Sequence, residues 1–204
     1  MTDPVVYVID DDEAMRESIA FLLDTADLGV RTYESATAFL EEAGSLTSGC
    51  IVTDVRMPEM SGLDLIQRLK DRSVALPVIV ITGHGDVPLA VQAMKAGVVD
   101  FLEKPFDDEA LLGSIRAALA GPTAKVGDDG EARRLEALIG ALSPREHEVL
   151  LGVVAGKANK VIAQDLGISP RTVEVYRANV MTKTGAASLS ELVRMALLAG
   201  VRVG

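Results

Sequence analysis

Apolar runs rich in β-branched residues recur at 5–9, 30–33, 51–53, 78–82 and 99–102. Runs this short, built mainly from Val, Ile, Thr and Tyr, predict strands rather than helices. Between them the spacing changes to the helical three and four. Residues 12–25 place Met15, Ile19, Leu22 and Leu23 on one face, and 61–71 do the same with Leu63, Leu65, Ile66 and Leu69. Leu89, Val91, Ala93 and Met94 recur within 87–96, and Leu111, Leu112, Ile115 and Leu119 within 108–120. Strands alternating with helices of this length predict a parallel sheet covered on both faces. Five strands in about 120 residues suit the flavodoxin-like, doubly wound α/β order, whose functional crevice lies outside the carboxyl ends of the strands.

The alternation stops at 121–130, a polar, Gly-rich stretch with one proline and no apolar period, which reads as a linker. Only helical patterns follow: 131–141, a helix opened by Ser143 and ending at Gly156, then 159–166, about 170–183, and a last one from Ser188 to near Gly200. Ser143-Pro144-Arg145-Glu146 supplies an N-cap, a proline at the first helical position and the glutamate of a capping box. Ser169-Pro170 repeats the first two signals just after Gly167. The expected core residues are Val149, Leu150, Val153 and Val154, then Val161, Ile162, Ala163 and Leu166. Helix, short glycine-containing turn and capped helix make the helix-turn-helix pattern. On its second helix Val173, Tyr176 and Val180 face inward. Arg171, Glu174, Val175 and Ala178 then face outward, with Arg177 on the flank. The expected division is a domain at 1–121, a partly helical linker at 122–140 and an all-α domain at 141–204.

Charge agrees with this division. Residues 1–123 carry 21 acids and 9 bases, whereas 124–204 carry 9 acids and 11 bases. An acidic unit precedes a mildly basic one, so a polyanionic partner belongs to the second. The single cysteine, Cys50, rules out an internal disulfide and is expected to be a buried small hydrophobe. Two histidines, His84 and His147, leave little for a histidine-based metal site. The longest apolar runs are about five residues, far short of the roughly 20 that cross a bilayer. The N-terminus lacks the basic region of a secretory signal. These features predict a cytoplasmic protein without membrane contact.

Chemistry collects at the predicted strand ends. The first strand runs into Asp10-Asp11-Asp12-Glu13, the third into Asp54 and the fourth into Thr82-Gly83; the fifth is followed by Lys104-Pro105. In a doubly wound sheet these side chains converge on one crevice. Carboxylates at close range repel, so the cluster needs a cation to stay ionised at low cost. Oxygen ligands without His or Cys favour Mg²⁺ over a transition metal. An acid run at a helix start also suits the helix dipole. The matching positions of Asp54, Thr82 and Lys104 at other strand ends favour a site.

The segments VIDDDEAMR (8–16), TDVRMPEMSG (53–62), VIVITGHGD (78–86) and DFLEKPF (100–106) resemble the receiver domain of bacterial response regulators. The resemblance implies that Asp54 is the phosphoacceptor. It implies that Asp10, Asp11, Asp54 and the main-chain carbonyl of Arg56 hold Mg²⁺, with Asp12 an extra solvent-side acid. Thr82 becomes the switch hydroxyl, Lys104 a second positive clamp and Phe101 the switch aromatic, moving inward as Thr82 turns to the phosphoryl group. Many receivers carry Tyr where Phe101 stands, and its hydroxyl is missing here. Gly83 leaves room over the acyl phosphate, His84 reads as a solvated loop residue, and a cis Lys104–Pro105 bond is expected. A hydrolase working through an aspartyl-phosphate has an acid two residues after its nucleophile; Arg56 occupies that position. A flavin carrier on this fold would meet an acidic crevice that repels its phosphate.

Residues 142–197, LSPREHEVLL through ELVRMAL, resemble the LuxR/GerE-type DNA-binding domain. The resemblance implies that the helix from 170 enters the major groove. Arg171 or Arg177 would pair with guanine or phosphate, Glu174 with cytosine N4 and Val175 with a thymine methyl. Lys160, Ser169, Thr172 and Lys183 would reach phosphates. The last helix would dimerise this domain, with Leu189, Leu192 and Val193 as candidates. Receiver plus LuxR-type effector is the plan of the NarL/FixJ class, and VITGHGDVPLAVQAMKAG (80–97) and ISPRTVEVYRANVM (168–181) resemble its FixJ branch. The implied partners are a FixL-like, oxygen-sensing histidine kinase, promoter DNA, RNA polymerase and a second copy joined on phosphorylation. That homodimer would use the receiver face of the fourth helix and fifth strand, including Val87, Leu89, Val91, Lys95 and Asp100. The implied role is a transcription activator of nitrogen-fixation and microaerobic genes: a phosphoacceptor with at most slow autodephosphorylation, not an enzyme.

Overall fold

The computed structural model describes residues 5–83, 87–121 and 129–201. Strands β1 (Val5–Ile9), β2 (Gly29–Tyr33), β3 (Cys50–Asp54), β4 (Val78–Thr82) and β5 (Asp100–Glu103) form one parallel sheet in the order β2-β1-β3-β4-β5. The helices that alternate with them are α1 (Glu13–Thr25), α2 (Ala36–Ala43), α3 (Gly62–Asp71), α4 (Val87–Lys95) and α5 (Asp108–Leu119). Next come α6 (Asp129–Gly140), α7 (Pro144–Val154), α8 (Asn159–Leu166), α9 (Pro170–Thr184) and α10 (Leu189–Leu198). The chain splits into two compact units, Met1–His84 with Lys95–Thr123, and Gly85–Met94 with Ala124–Gly204.

The sheet explains the apolar runs. β3 and β4 are buried along almost their whole length, whereas the edge strand β2 is largely exposed. Strands covered on both faces lose the apolar–polar alternation. Val6, Val8, Cys50, Val52, Ile79 and Ile81 pack in one cluster with Ile19 and Leu23 of α1 and Leu111 and Ile115 of α5. Tyr7 meets Phe39 of α2 at a ring separation of 5.7 Å, and Tyr33 meets the same ring edge-on at 5.1 Å. Each Leu or Ile buried this way contributes about 1.5–3 kcal/mol. The chain order reverses between β1 and β3, which are paired with Ile9 opposite Thr53. That switch point places the ends of β1, β3, β4 and β5 around one crevice.

Helix α2 is absent from the periodicity reading. It has eight residues, and only Phe39 and Leu40 in it are both large and buried. Its start is fixed by Ser35, whose Oγ accepts the Ala38 N–H at 3.1 Å.

In the second unit Ile139, Leu142, Leu150, Val154, Val180, Ala186, Leu192 and Ala196 form the core. Helix α6 thus contributes a core residue beyond its place in the expected linker. The capping box of α7 is present: Ser143 Oγ accepts the Glu146 N–H and Glu146 Oε2 accepts the Ser143 N–H at 2.7 Å. Between α8 and α9 Gly167 takes φ +65°, and Ser169 caps α9 by accepting the Thr172 N–H at 3.1 Å. The left-handed glycine ends one helix and lets the chain turn sharply into the next. Val161 departs from its expected core position and is 43% exposed. Neighbouring Ile162 and Ala163 supply the buried face of α8. Among the described residues no helix is long and apolar enough to cross a membrane.

Candidate functional site

Asp10 follows β1 and is 2% exposed; Asp54 ends β3 and is partly accessible. Lys104, just after β5, brings them together. Its Nζ donates to Asp10 Oδ2 at 3.0 Å and to Asp54 Oδ2. The remaining oxygen of each acid is bonded to the main chain: Asp54 Oδ1 accepts the Arg56 N–H and Asp10 Oδ1 the Asp12 N–H, both at 2.9 Å. The Lys104–Pro105 bond is cis.

Electrostatics follows from this packing. Burial pushes the Asp10 carboxyl above its usual range, and the Asp12 N–H and Lys104 only partly offset that. For Lys104 burial opposes the charged form, but hydrogen bonds and charge from Asp54 and Asp10 outweigh it and raise its pKa. The ammonium therefore stays charged at neutral pH. Burial also drives the Cys50 thiol up to about 12, which fits its place in the apolar core.

Thr82 ends β4 beside Asp54's neighbour in register, Ile81, and is 1% exposed. Among the described residues its hydroxyl donates to the Gly83 carbonyl alone, at 3.5 Å, a weak bond. Phe101 is already buried, at 4% exposure. That burial describes the ring before any turn of Thr82. Asp12 is not a spare acid: its Oδ1 caps α1 by accepting the Ala14 and Met15 N–H groups. Asp11 is exposed, and its carboxylate has no partner among the described residues. His84 lies outside the described residues.

The donors fit a hard divalent cation. Asp10, Asp11 and Asp54 offer only oxygen, and one ammonium does not balance three carboxylates. Among the described residues no three acids, histidines or cysteines already form a cage. The ligand set would be completed when the unbonded Asp11 side chain turns in.

Of the dimer residues expected on α4 and β5, Asp100 is committed internally. It accepts the Phe101 N–H at 2.9 Å and the Ser114 hydroxyl at 2.7 Å. Val91 is buried, Leu89 half-buried and Lys95 exposed; the side chain of Val87 lies outside the described residues.

The second unit presents α9 as expected. Val173 and Val180 are buried, whereas Arg171, Glu174, Val175 and Ala178 are exposed, Val175 at 54%. Lys160 and Ser169 are exposed and Thr172 half-buried; Ser169 and Thr172 also share a hydroxyl hydrogen bond of 2.8 Å. Two expected DNA contacts have internal partners. Arg177 donates to Asn159 Oδ1 of α8 at 2.7 Å, and Lys183 donates to Glu146 Oε2 of α7 at 2.7 Å. Lys183 first, with the Ser143 N–H, holds Glu146 down to about 2. On α10, Leu192 and Val193 are buried and cannot meet a second copy; Arg194 and Leu198 are exposed instead.

These two sites match known families. Residues 6–116 match the response regulator receiver domain and residues 140–196 the bacterial regulatory proteins of the luxR family. The chain belongs to the response-regulator family. As a response regulator it joins a receiver to a LuxR-type DNA-binding domain and regulates transcription. It is 61% identical to the transcriptional regulatory protein FixJ of Azorhizobium caulinodans, over 96% of this chain and 93% of that protein. It is 54% identical to FixJ of Bradyrhizobium diazoefficiens, over 96% of each. The crystal structure of full-length FixJ from B. japonicum matches with a TM-score of 0.57 and 52% identity, over 99% of this chain and all of that one. Such regulators are phosphoacceptor transcription factors rather than catalysts.

Proposed function

We propose that a sensor histidine kinase phosphorylates this response regulator on Asp54, and that the phosphorylated protein dimerises and activates transcription from promoter DNA. The observation that carries this reading is the shared Lys104 ammonium, bonded at once to Asp10 and Asp54. A cation held between two carboxylates at the strand ends suits a site that handles negative charge. In the transfer an Asp54 oxygen attacks phosphorus as the bond to the kinase's histidine nitrogen breaks. Lys104 moves from carboxylate to phosphoryl oxygen, and the Arg56 N–H keeps Asp54 aimed. The Thr82 hydroxyl turns to donate to another phosphoryl oxygen. Asp10, Asp11, Asp54 and the Arg56 carbonyl would hold Mg²⁺, which supplies positive charge opposite the transferring oxygens.

In the effector, Arg171, Glu174 and Val175 read base edges, while Lys160, Ser169 and Thr172 hold phosphates. Arg177 and Lys183 chiefly brace α9 against α8 and α7. A weakly basic domain binds modestly alone, so paired half-sites and a homodimer supply affinity. RNA polymerase is the recipient of activation. The resemblance to the FixJ branch makes a FixL-like, oxygen-sensing kinase the partner, and nitrogen-fixation and microaerobic genes the targets. Any autodephosphorylation is slow.

The test is Mg²⁺-dependent labelling of the full chain by acetyl phosphate, with mass by light scattering and DNA binding on the same sample. Wild type labels once per chain, dimerises and binds DNA more tightly. Asp54→Asn does none of these yet keeps its melting temperature. Stoichiometric labelling of Asp54→Asn would refute the assignment.

A further inference from the structure

Arg16, three residues into α1, takes no part in the chemistry described above, yet it is bonded to the loop that carries the acids. Its Nη1 donates to the main-chain oxygen of Asp10 at 2.7 Å. With that bond, every polar atom of Asp10 is occupied. Its N–H donates to the Tyr33 carbonyl at 3.3 Å, Oδ1 accepts the Asp12 N–H and Oδ2 accepts Lys104. Asp11 contrasts with this: it is exposed and its carboxylate has no partner among the described residues.

The two residues share a peptide group. A peptide unit is planar, so the carbonyl of Asp10 and the N–H and Cα of Asp11 move as one plate. Holding that carbonyl from α1 sets the direction from which the Asp11 side chain departs. The choice of acceptor also matters. Lys104 occupies a carboxylate oxygen of Asp10 and of Asp54, whereas Arg16 binds a carbonyl and leaves the carboxylates to a cation. It adds one positive charge to an acid-rich loop without competing for ligands.

We propose that Arg16 is a positioning residue for the divalent-cation site: it fixes the Asp10–Asp11 peptide plane, so that the Asp11 carboxylate, exposed in this structure, reaches Asp10 and Asp54 by side-chain rotation alone. This rests on the reading that these three acids hold Mg²⁺. Residues that orient metal ligands typically matter by 10–100-fold in affinity, so removing the bond should raise the Mg²⁺ dissociation constant about tenfold. The effect falls on cation affinity and not on the chemistry at saturation.

Calorimetric titration of Mg²⁺ into the full chain tests this for wild type, Arg16→Met, Arg16→Lys and Asp11→Asn. Arg16→Met is expected to bind about tenfold more weakly, and Arg16→Lys, which keeps a charged donor, to recover most of the loss. Labelling by acetyl phosphate across Mg²⁺ concentrations should show the half-saturating concentration shifted by the same factor, with the plateau within about twofold of wild type. Thermal melting verifies the fold; if Arg16→Met does not fold, Arg16→Gln is read by the same two curves. A dissociation constant for the Arg16 variant equal to wild type, with Asp11→Asn weakened, overturns the proposal alone. Unchanged binding by Asp11→Asn overturns the cation-site reading beneath it.

Discussion

Gly62 opens α3 directly against the end of β3, and adding one methyl group there tests how rigidly Asp54, the proposed phosphoacceptor, must be held. A Cβ at this position would lie 2.3 Å from the Asp54 main-chain oxygen, 3.1 Å from its carbonyl carbon and 3.2 Å from the Val55 Cα. All three are backbone atoms, so no side chain can swing aside. The start of α3 cannot move freely either. The Gly62 N–H donates to the Val55 carbonyl at 2.9 Å, and Ser61 and Asp64 close a capping box around the first turn. Relief of about 1 Å must therefore come from lifting α3 or displacing the Asp54 peptide, and overpacking of this kind costs about 1–3 kcal/mol. For a unit of this size that lowers the melting temperature by about 3–10 °C. Misplacing a reacting group by about 1 Å also slows its reaction by as much as about 100-fold. Gly62→Ala is expected to show both losses, read by differential scanning calorimetry and by the rate of acetyl phosphate labelling on a phosphate-affinity gel. A variant that labels and melts like wild type would show that the β3–α3 junction is soft, and the argument for a backbone-fixed nucleophile would fail.

Other expectations concern charge. Folding favours protonated Asp10, so the stability it contributes is full below the usual carboxylate range and is lost as pH rises through its raised native value. Without divalent cations Asp10→Asn should then resist urea better than wild type at neutral pH, with the gap closing in acid; equal midpoints at neutral pH would contradict this. Glu146 behaves oppositely: its contribution is present above the usual glutamate range and is lost as pH falls through about 2. Glu146→Gln should be less stable than wild type at neutral pH, with the difference shrinking in acid, as followed by helical circular dichroism. Arg171→Gln should weaken promoter binding about tenfold and flatten its salt dependence by about one counterion in fluorescence anisotropy. Lys183→Gln should chiefly lower the melting temperature, because its ammonium already serves Glu146.

The parts of the site legible from residue order are those set by local rules. Strand ends are marked by the passage from β-branched runs to polar residues, so the order of residues alone places Asp10, Asp54, Thr82 and Lys104. The caps at Ser143 and Ser169 were equally plain, because a cap depends on a few consecutive residues. Features that depend on distant partners were not. Nothing near Arg177 announces Asn159, and nothing near Lys183 announces Glu146, 37 residues away. Leu192 and Val193 looked like dimer residues because an apolar helix face does not say whether its own domain or a second copy covers it. Helix α2 carries only Phe39 and Leu40 as large apolar residues, adjacent to each other, so it shows no helical period.

The two cations that tie α9 to its neighbours separate holding from reading. Arg177 and Lys183 each donate inside the domain, and Val173 and Val180 are sealed in its core. Among the described residues, Arg171, Glu174 and Val175 take no part in that scaffold, so each can be exchanged with little effect on folding. The outward row of α9 is thus interchangeable type set in a fixed frame. A lineage can re-address such a regulator to new promoters by substituting a handful of side chains, while the frame and the receiver joined to it are inherited whole.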